Sequence, residues 1–213
     1  MGKHSLNTAS MLTEFRAGPC KADVVILNGS ATAYEIKSER DSLSRLGNQI
    51  ENYMKVFATI NVITSESYVK SVLSNTLSSV GVLCLTRRRQ IKNLRDGINQ
   101  AHKTCPKTML QSLRRIEAIQ VMKALGIEAP PLPNTQEFKA FNSIISQQDP
   151  LAVHQAIVAT LKKTRSLAPL RTFVERLPQS LHAMALAIQL KRSEYERLII
   201  AMSTPLVETN NWT

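Results

Sequence analysis

The chain has 213 residues, 43% of them apolar, with a formal charge of +11 and a pI near 9.9. That is enough length for one domain with a full core, or a core domain with an appendage, in an ordinary soluble composition. The first residues lack a signal peptide's apolar run, Leu6 stands where a myristoylation signal needs Ser or Thr, and no apolar stretch reaches membrane-spanning length.

The cysteines (Cys20, Cys84 and Cys105) are odd in number, far apart and without histidine at ligand spacing, which suits reduced thiols in a cytoplasm. Such basic charge fits a polyanionic partner, nucleic acid first, and no membrane.

Residues 8–17, with Met11, Leu12 and Phe15 on one side, predict a short helix that Gly18-Pro19 ends. Val24 to Leu27, Asn28-Gly29 and Ala31 to Lys37 then predict a hairpin. A two-residue turn at Asn28-Gly29 sets Asp23 opposite Tyr34, with Glu35 on the other face. A three-residue turn that includes Ser30 sets Asp23 opposite Glu35, with Lys37 on the same face. The sequence leaves both open.

In the second register two carboxylates and an ammonium group share one face, which suits a hard divalent cation that keeps several waters. Cation-bound water is a better nucleophile, and the lysine adds positive charge near a reacting phosphate.

Asp23 on one strand and Glu35-x-Lys37 on the next resemble the signature of the PD-(D/E)xK nuclease superfamily. The run Ala-Asp-Val-Val … Glu-Ile-Lys-Ser-Glu-Arg-Asp is similar to that of a group of small bacterial proteins within it. The resemblance covers about residues 10 to 85 and departs from the pattern in having Ala22 where a proline precedes the aspartate. It implies Mg²⁺ or Mn²⁺ held by Asp23, Glu35 and the Ile36 carbonyl, with Lys37 handling the water.

Ser38 to Phe57 reads as a helix, with Ser38/Asp41 as a capping pair and Leu43, Leu46, Ile50, Tyr53, Met54 and Phe57 as its apolar stripe. Gln49 and Tyr53, four apart, match the Gln-x-x-x-Tyr of RecB-like members, whose implied role is to support the metal site or contact the nucleic-acid backbone. By the same resemblance Glu14 is a candidate extra carboxylate; the plain alternative is solvated surface.

Thr59–Thr64 and Val80–Thr86 read as strands, with a short helix over Ser65–Leu73 between them. The order agrees with the superfamily core except that the first meander strand is missing or too short to recognise.

Charge is uneven. Residues 85–125 hold ten Lys/Arg against two Asp/Glu, whereas residues 1–84 hold eight against seven. Arg87, Arg88, Arg89, Lys92 and Arg95 open that run and are the candidate phosphate contacts.

From Pro106 the chain reads helical, first as one helix from Met109 to Lys123, with a linker at 129–134 and five further helices. This half is a candidate for positioning substrate, for dimerisation or for binding a protein partner, and the sequence does not choose among these.

The expected architecture is α/β, a restriction-endonuclease-like mixed sheet flanked by helices over residues 1–105, followed by an all-helical C-terminal region over 106–213. The expected function is metal-dependent hydrolysis of nucleic acid, DNA by analogy, in a bacterial or phage setting. The alternative is a non-catalytic nucleic-acid-binding or partner-binding protein on the same fold.

Overall fold

The structure, a computed structural model, describes residues 8–128, 134–187 and 192–203. Most of the linker at 129–134 and the tail from Thr204 lie outside the described residues.

Six strands form one mixed sheet in chain order: β1 (Ser10–Ala17), β2 (Cys20–Asn28), β3 (Ser30–Lys37), β4 (Thr59–Ser65), β5 (Gly81–Leu85) and β6 (Ile91–Arg95). β1, β2 and β3 form an antiparallel meander, β3, β4 and β5 run parallel, and β6 returns antiparallel. The two parallel connections carry α1 (Leu46–Met54) and α2 (Val69–Ser74), since a parallel pair needs a crossover and cannot be closed by a tight turn.

Residues 8–17 contain a strand, not the expected helix, so the missing first meander strand is present. Glu14 explains the misleading spacing. It holds a left-handed φ of 51° between the paired positions Thr13↔Val24 and Phe15↔Ala22. That irregularity reverses the in–out alternation of β1, so Leu12 and Phe15 are both buried. An interrupted strand thereby mimics the three-residue spacing of a helix.

The expected helix over Ser38–Phe57 is shorter. Ser38 and Asp41 do bond, with Ser38 N donating to Asp41 Oδ2 at 2.8 Å, but they close a turn ahead of it. A 3₁₀ turn at Leu43–Arg45, capped by Ser42, leads into α1.

β6 is the other strand that the sequence concealed. Its residues Ile91 to Leu94 are exposed, so it shows no inward and outward alternation.

The helical region begins with α3 (Pro106–Gln111) and α4 (Arg115–Ala124), which replace the single helix expected there, followed by α5 (Asn134–Ile145) and α6 (Pro150–Thr164). Met109, Leu110, Val121, Met122, Phe141, Val153 and Leu161 share one core with Leu12, Val25, Leu27 and Val62 of the sheet. The first compact unit ends at Ser166, so these helices belong to the same unit as the sheet.

The second unit begins at Leu167 and contains α7 (Arg171–Glu175), α8 (His182–Ala187) and α9 (Arg192–Ser203). Its own core is Phe173, Val174, Leu177, Ala185 and Ile199, with the rings of Phe173 and Tyr195 4.4 Å apart. Among the described residues no helix is long and apolar enough to cross a membrane.

Candidate functional site

The β2–β3 turn has the three-residue register. Leu27 pairs with Ala31, Asn28 with Ser30, and Val24 with Tyr34. Gly29 lies between them at φ 74°, a left-handed value that a residue without Cβ adopts freely.

One step beyond Val24↔Tyr34 that register sets Asp23 opposite Glu35. There the ladder stops, and the Ile36 N–H donates to Asp23 Oδ2 at 2.7 Å. Burial raises the Asp23 pKa; the Ile36 bond opposes the shift, and the Glu35 charge adds to it.

Glu35 is only 2% exposed and Lys37 6%. A carboxylate so enclosed must be satisfied by donors. Glu35 Oε1 receives Lys37 Nζ at 2.7 Å and Gln49 Nε2 at 2.6 Å, while Oε2 receives the Tyr53 hydroxyl at 2.7 Å. Gln49 and Tyr53, four apart on α1, therefore reach the same carboxylate, as neighbours on one helix face can. Tyr53 packs edge-on against Phe57, ring centres 5.8 Å apart.

Glu14 falls beside Asp23 in the β1–β2 register, between Thr13↔Val24 and Phe15↔Ala22, but its carboxylate is exposed and lies 3.9 Å from Lys21 Nζ. Lys21 contributes what the sequence reading did not name, because its main-chain carbonyl also lies 2.5 Å from the Tyr53 hydroxyl. A backbone carbonyl leaves no signature in sequence.

The candidate phosphate contacts separate in space. Arg87, Arg88 and Arg89 occupy the exposed β5–β6 turn, and Lys92 is exposed on β6. Arg95 turns inward, donating to the Val80 carbonyl at 2.7 Å and to Thr76 Oγ1 at 2.5 Å.

Among the described residues no group of three His, Cys, Asp or Glu side chains is arranged to hold a metal ion. A cation here would rest on two carboxylates completed by neutral oxygens and water, a set that suits Mg²⁺ and Mn²⁺. The neutral oxygens are at hand. Gln49 Oε1 is a buried acceptor with no hydrogen-bond partner, on the same amide that donates to Glu35. The Ile36 carbonyl follows Glu35 on β3, on the residue whose N–H donates to Asp23. The donor set fits such an ion.

The family model described as bacteriophage P4 protein cII matches residues 1–189. The chain belongs to this phage P4 cII family. Protein cII of Enterobacteria phage P4 is 36% identical over 63 residues, which are 30% of this chain and 24% of that protein. The matched segment thus spans about a quarter of this curated cII relative. Among solved structures, a protein of unknown function from Silicibacter pomeroyi is similar at a TM-score of 0.38 and 18% identity, over 56% of this chain and 81% of that one.

Proposed function

We propose that this cII-family chain is a metal-dependent nuclease of the PD-(D/E)xK type, hydrolysing phosphodiester bonds of nucleic acid, DNA by resemblance, in the cytoplasm. One observation carries the reading. The three-residue turn brings Asp23 opposite Glu35, and Glu35 is held by Lys37, Gln49 and Tyr53 together.

A bound divalent cation supplies a more acidic water and neutralises charge on the phosphate. Asp23 and Glu35 would hold such a cation, and the bonds from Gln49 and Tyr53 orient the Glu35 carboxylate. Lys37 Nζ is positioned to bind the attacking water or the phosphate oxygen that becomes more negative.

Plasmid and linear DNA incubated with Mg²⁺, Mn²⁺ or EDTA test this directly. Cutting that needs the metal and disappears in Lys37→Ala and Asp23→Ala supports the proposal. Cutting that survives either substitution, or none by the wild type, overturns it.

A second reading, a non-catalytic nucleic-acid-binding protein, is favoured by the saturation of Glu35. Its Oε1 already receives two donors, one of them a buried ammonium group. It predicts DNA binding that Lys37→Ala leaves intact.

A further inference from the structure

Because β3, β4 and β5 run parallel, their C-terminal ends share one edge of the sheet. Lys37 pairs with Thr64, Thr64 with Cys84, and Ser65 with Leu85. Neighbouring strands are about 4.8 Å apart, so the chain leaves β5 about 10 Å from where it leaves β3 at Lys37.

Between them lies an open groove of ≈ 690 Å³, with Ser38 and Arg40 on one side, Ser65 and Ser67 along its middle, and Thr86 and Arg87 on the other. The Thr86–Gln90 turn forms its far wall, closed by Thr86 N to Gln90 O and Arg89 N to Thr86 O, both at 2.8 Å.

This turn is where the basic run meets the candidate site. Other members are used elsewhere: Arg95 is bonded to the β5 region, and Arg115 forks onto Glu137. Lys103 and Lys107 sit at the opposite edge, since Gln100 N bonds to Ala58 O just ahead of β4. Among the described residues Arg88 and Arg89 meet no carboxylate. Arg87 meets Glu66 through its backbone N–H at 3.4 Å and its guanidinium at 3.8 Å, with the Arg87 side chain 95% exposed. The groove's other carboxylate, Glu39, accepts from Ser67 Oγ at 2.7 Å.

We propose that this groove seats the phosphodiester backbone of a DNA duplex beside the position cut at Asp23, Glu35 and Lys37, with Arg87 and Arg88 as its phosphate contacts. The proposal rests on the nuclease reading for what happens at the near end. Exposed guanidinium groups pair with phosphate oxygens at two points, and the groove's hydroxyl groups suit the same backbone. No aromatic ring lines the groove, so it offers bases nothing to stack on.

Binding of a fluorescently labelled DNA duplex, followed by anisotropy in EDTA over a series of salt concentrations, tests the groove apart from cleavage. Three proteins are compared: wild type, Arg87→Gln/Arg88→Gln, and Lys103→Gln/Lys107→Gln, which loses equal charge at the opposite edge. Arg89 is left in place because its φ of 60° makes substitution there a backbone perturbation. Thermal melts confirm that each variant is folded.

The arginine variant is expected to bind about tenfold more weakly at low salt, with a log K against log salt slope flatter by about two. The lysine variant should stay within about twofold of wild type, the measure of a loss of diffuse charge alone. An unchanged arginine variant, equal losses in both variants, or no wild-type binding at low salt would overturn the proposal. If the arginine variant alone loses binding while wild type never cuts DNA in Mg²⁺ or Mn²⁺, the groove stands and the nuclease reading falls.

Discussion

The Tyr53 hydroxyl lies 2.7 Å from Glu35 Oε2 and 2.5 Å from the Lys21 carbonyl, so one phenolic proton serves a carboxylate on β3 and the backbone of β2. Burial, reinforced by Glu35, pushes this phenol above its ordinary range, so it stays a donor at every working pH. Tyr53→Phe keeps the ring against Phe57 and removes only the donor. The variant should lose about 1–3 kcal/mol in urea denaturation, the usual cost of an orphaned buried acceptor. On the proposed nuclease reading, metal-dependent cutting should fall by about tenfold or more as Glu35 loses its orientation. Unchanged stability would mean that the hydroxyl makes neither contact.

Arg95 separates charge in sequence from charge at the site. Its guanidinium bonds to the Val80 carbonyl and to Thr76, tying β6 to the chain around the start of β5. Arg95→Gln should lower stability by about 1–2 kcal/mol, as loss of hydrogen bonds from a charged donor does, and leave DNA affinity near wild type. Thermal melting and the anisotropy assay read the two effects separately. A stable variant with weakened binding would restore Arg95 as a phosphate contact.

Glu117 on α4 is 3% exposed and receives both arms of Arg165 at 2.7 Å, together with the Arg114 N–H at 2.8 Å. Burial raises its pKa, but Arg165 and the Arg114 N–H outweigh that, and the net shift is downward from 4.5. The stabilisation is therefore complete above about pH 4.5 and is lost as pH falls through the lower folded value. Arg165 also lies 5.3 Å from the centre of the Phe15 ring, so the pair links α4, the end of α6 and β1. Arg165→Met should cost about 3–5 kcal/mol near neutral pH because it strands a buried charge. The deficit should shrink in acid and in the double variant Glu117→Gln/Arg165→Met. Equal deficits at pH 7 and pH 3 would show that lost packing, not lost pairing, is responsible.

His154 on α6 is 2% exposed and accepts the Ala31 N–H at Nε2, 3.2 Å away. Nδ1 therefore carries the proton, and it is buried without a hydrogen-bond partner. The surroundings are apolar (Leu12, Phe15, Val25, Leu27, Ile157 and Leu161), with Ser112 the other polar residue lining this cavity. Burial pulls the imidazole down from 6.5 to about 4. Above pH 6.5 the ring is neutral in both states. Between 6.5 and about 4 the unfolded chain takes up a proton that the folded chain refuses, so stability falls with pH, by about 3 kcal/mol in all. His154→Gln keeps an acceptor for Ala31 and cannot charge in this range. Urea denaturation at pH 7.5 and 4.5 should show a smaller acid loss in the variant; parallel losses would assign the acid limb to carboxylates alone.

Much of the core and the candidate site was legible. β2, β3, β4 and β5 announce themselves by β-branched runs and by Asn28-Gly29, while Gln49 and Tyr53 share a helix face by spacing alone. β1 was hidden because Glu14's left-handed backbone reversed the burial alternation, so Leu12 and Phe15 imitated a helical repeat. β6 was hidden because an exposed edge strand carries no such alternation.

The sequence by itself determined which side chains could form the constellation: Asp23, Glu35 and Lys37 on adjacent strands, with Gln49 and Tyr53 within reach. It could not choose between turn registers, because Asn28-Gly29-Ser30 is compatible with both and a shift of one residue sends every side chain to the other face. Only the tertiary structure decided that choice, pairing Leu27 with Ala31 and so setting Asp23 opposite Glu35. It also decided which basic residues share the site's edge, since parallel strands bring Lys37 and the Thr86–Arg89 turn together while the chain from Gln100 to Lys107 runs along the other end. Both outcomes depend on pairing between residues distant in sequence, and local propensity and spacing do not encode which partner a strand meets.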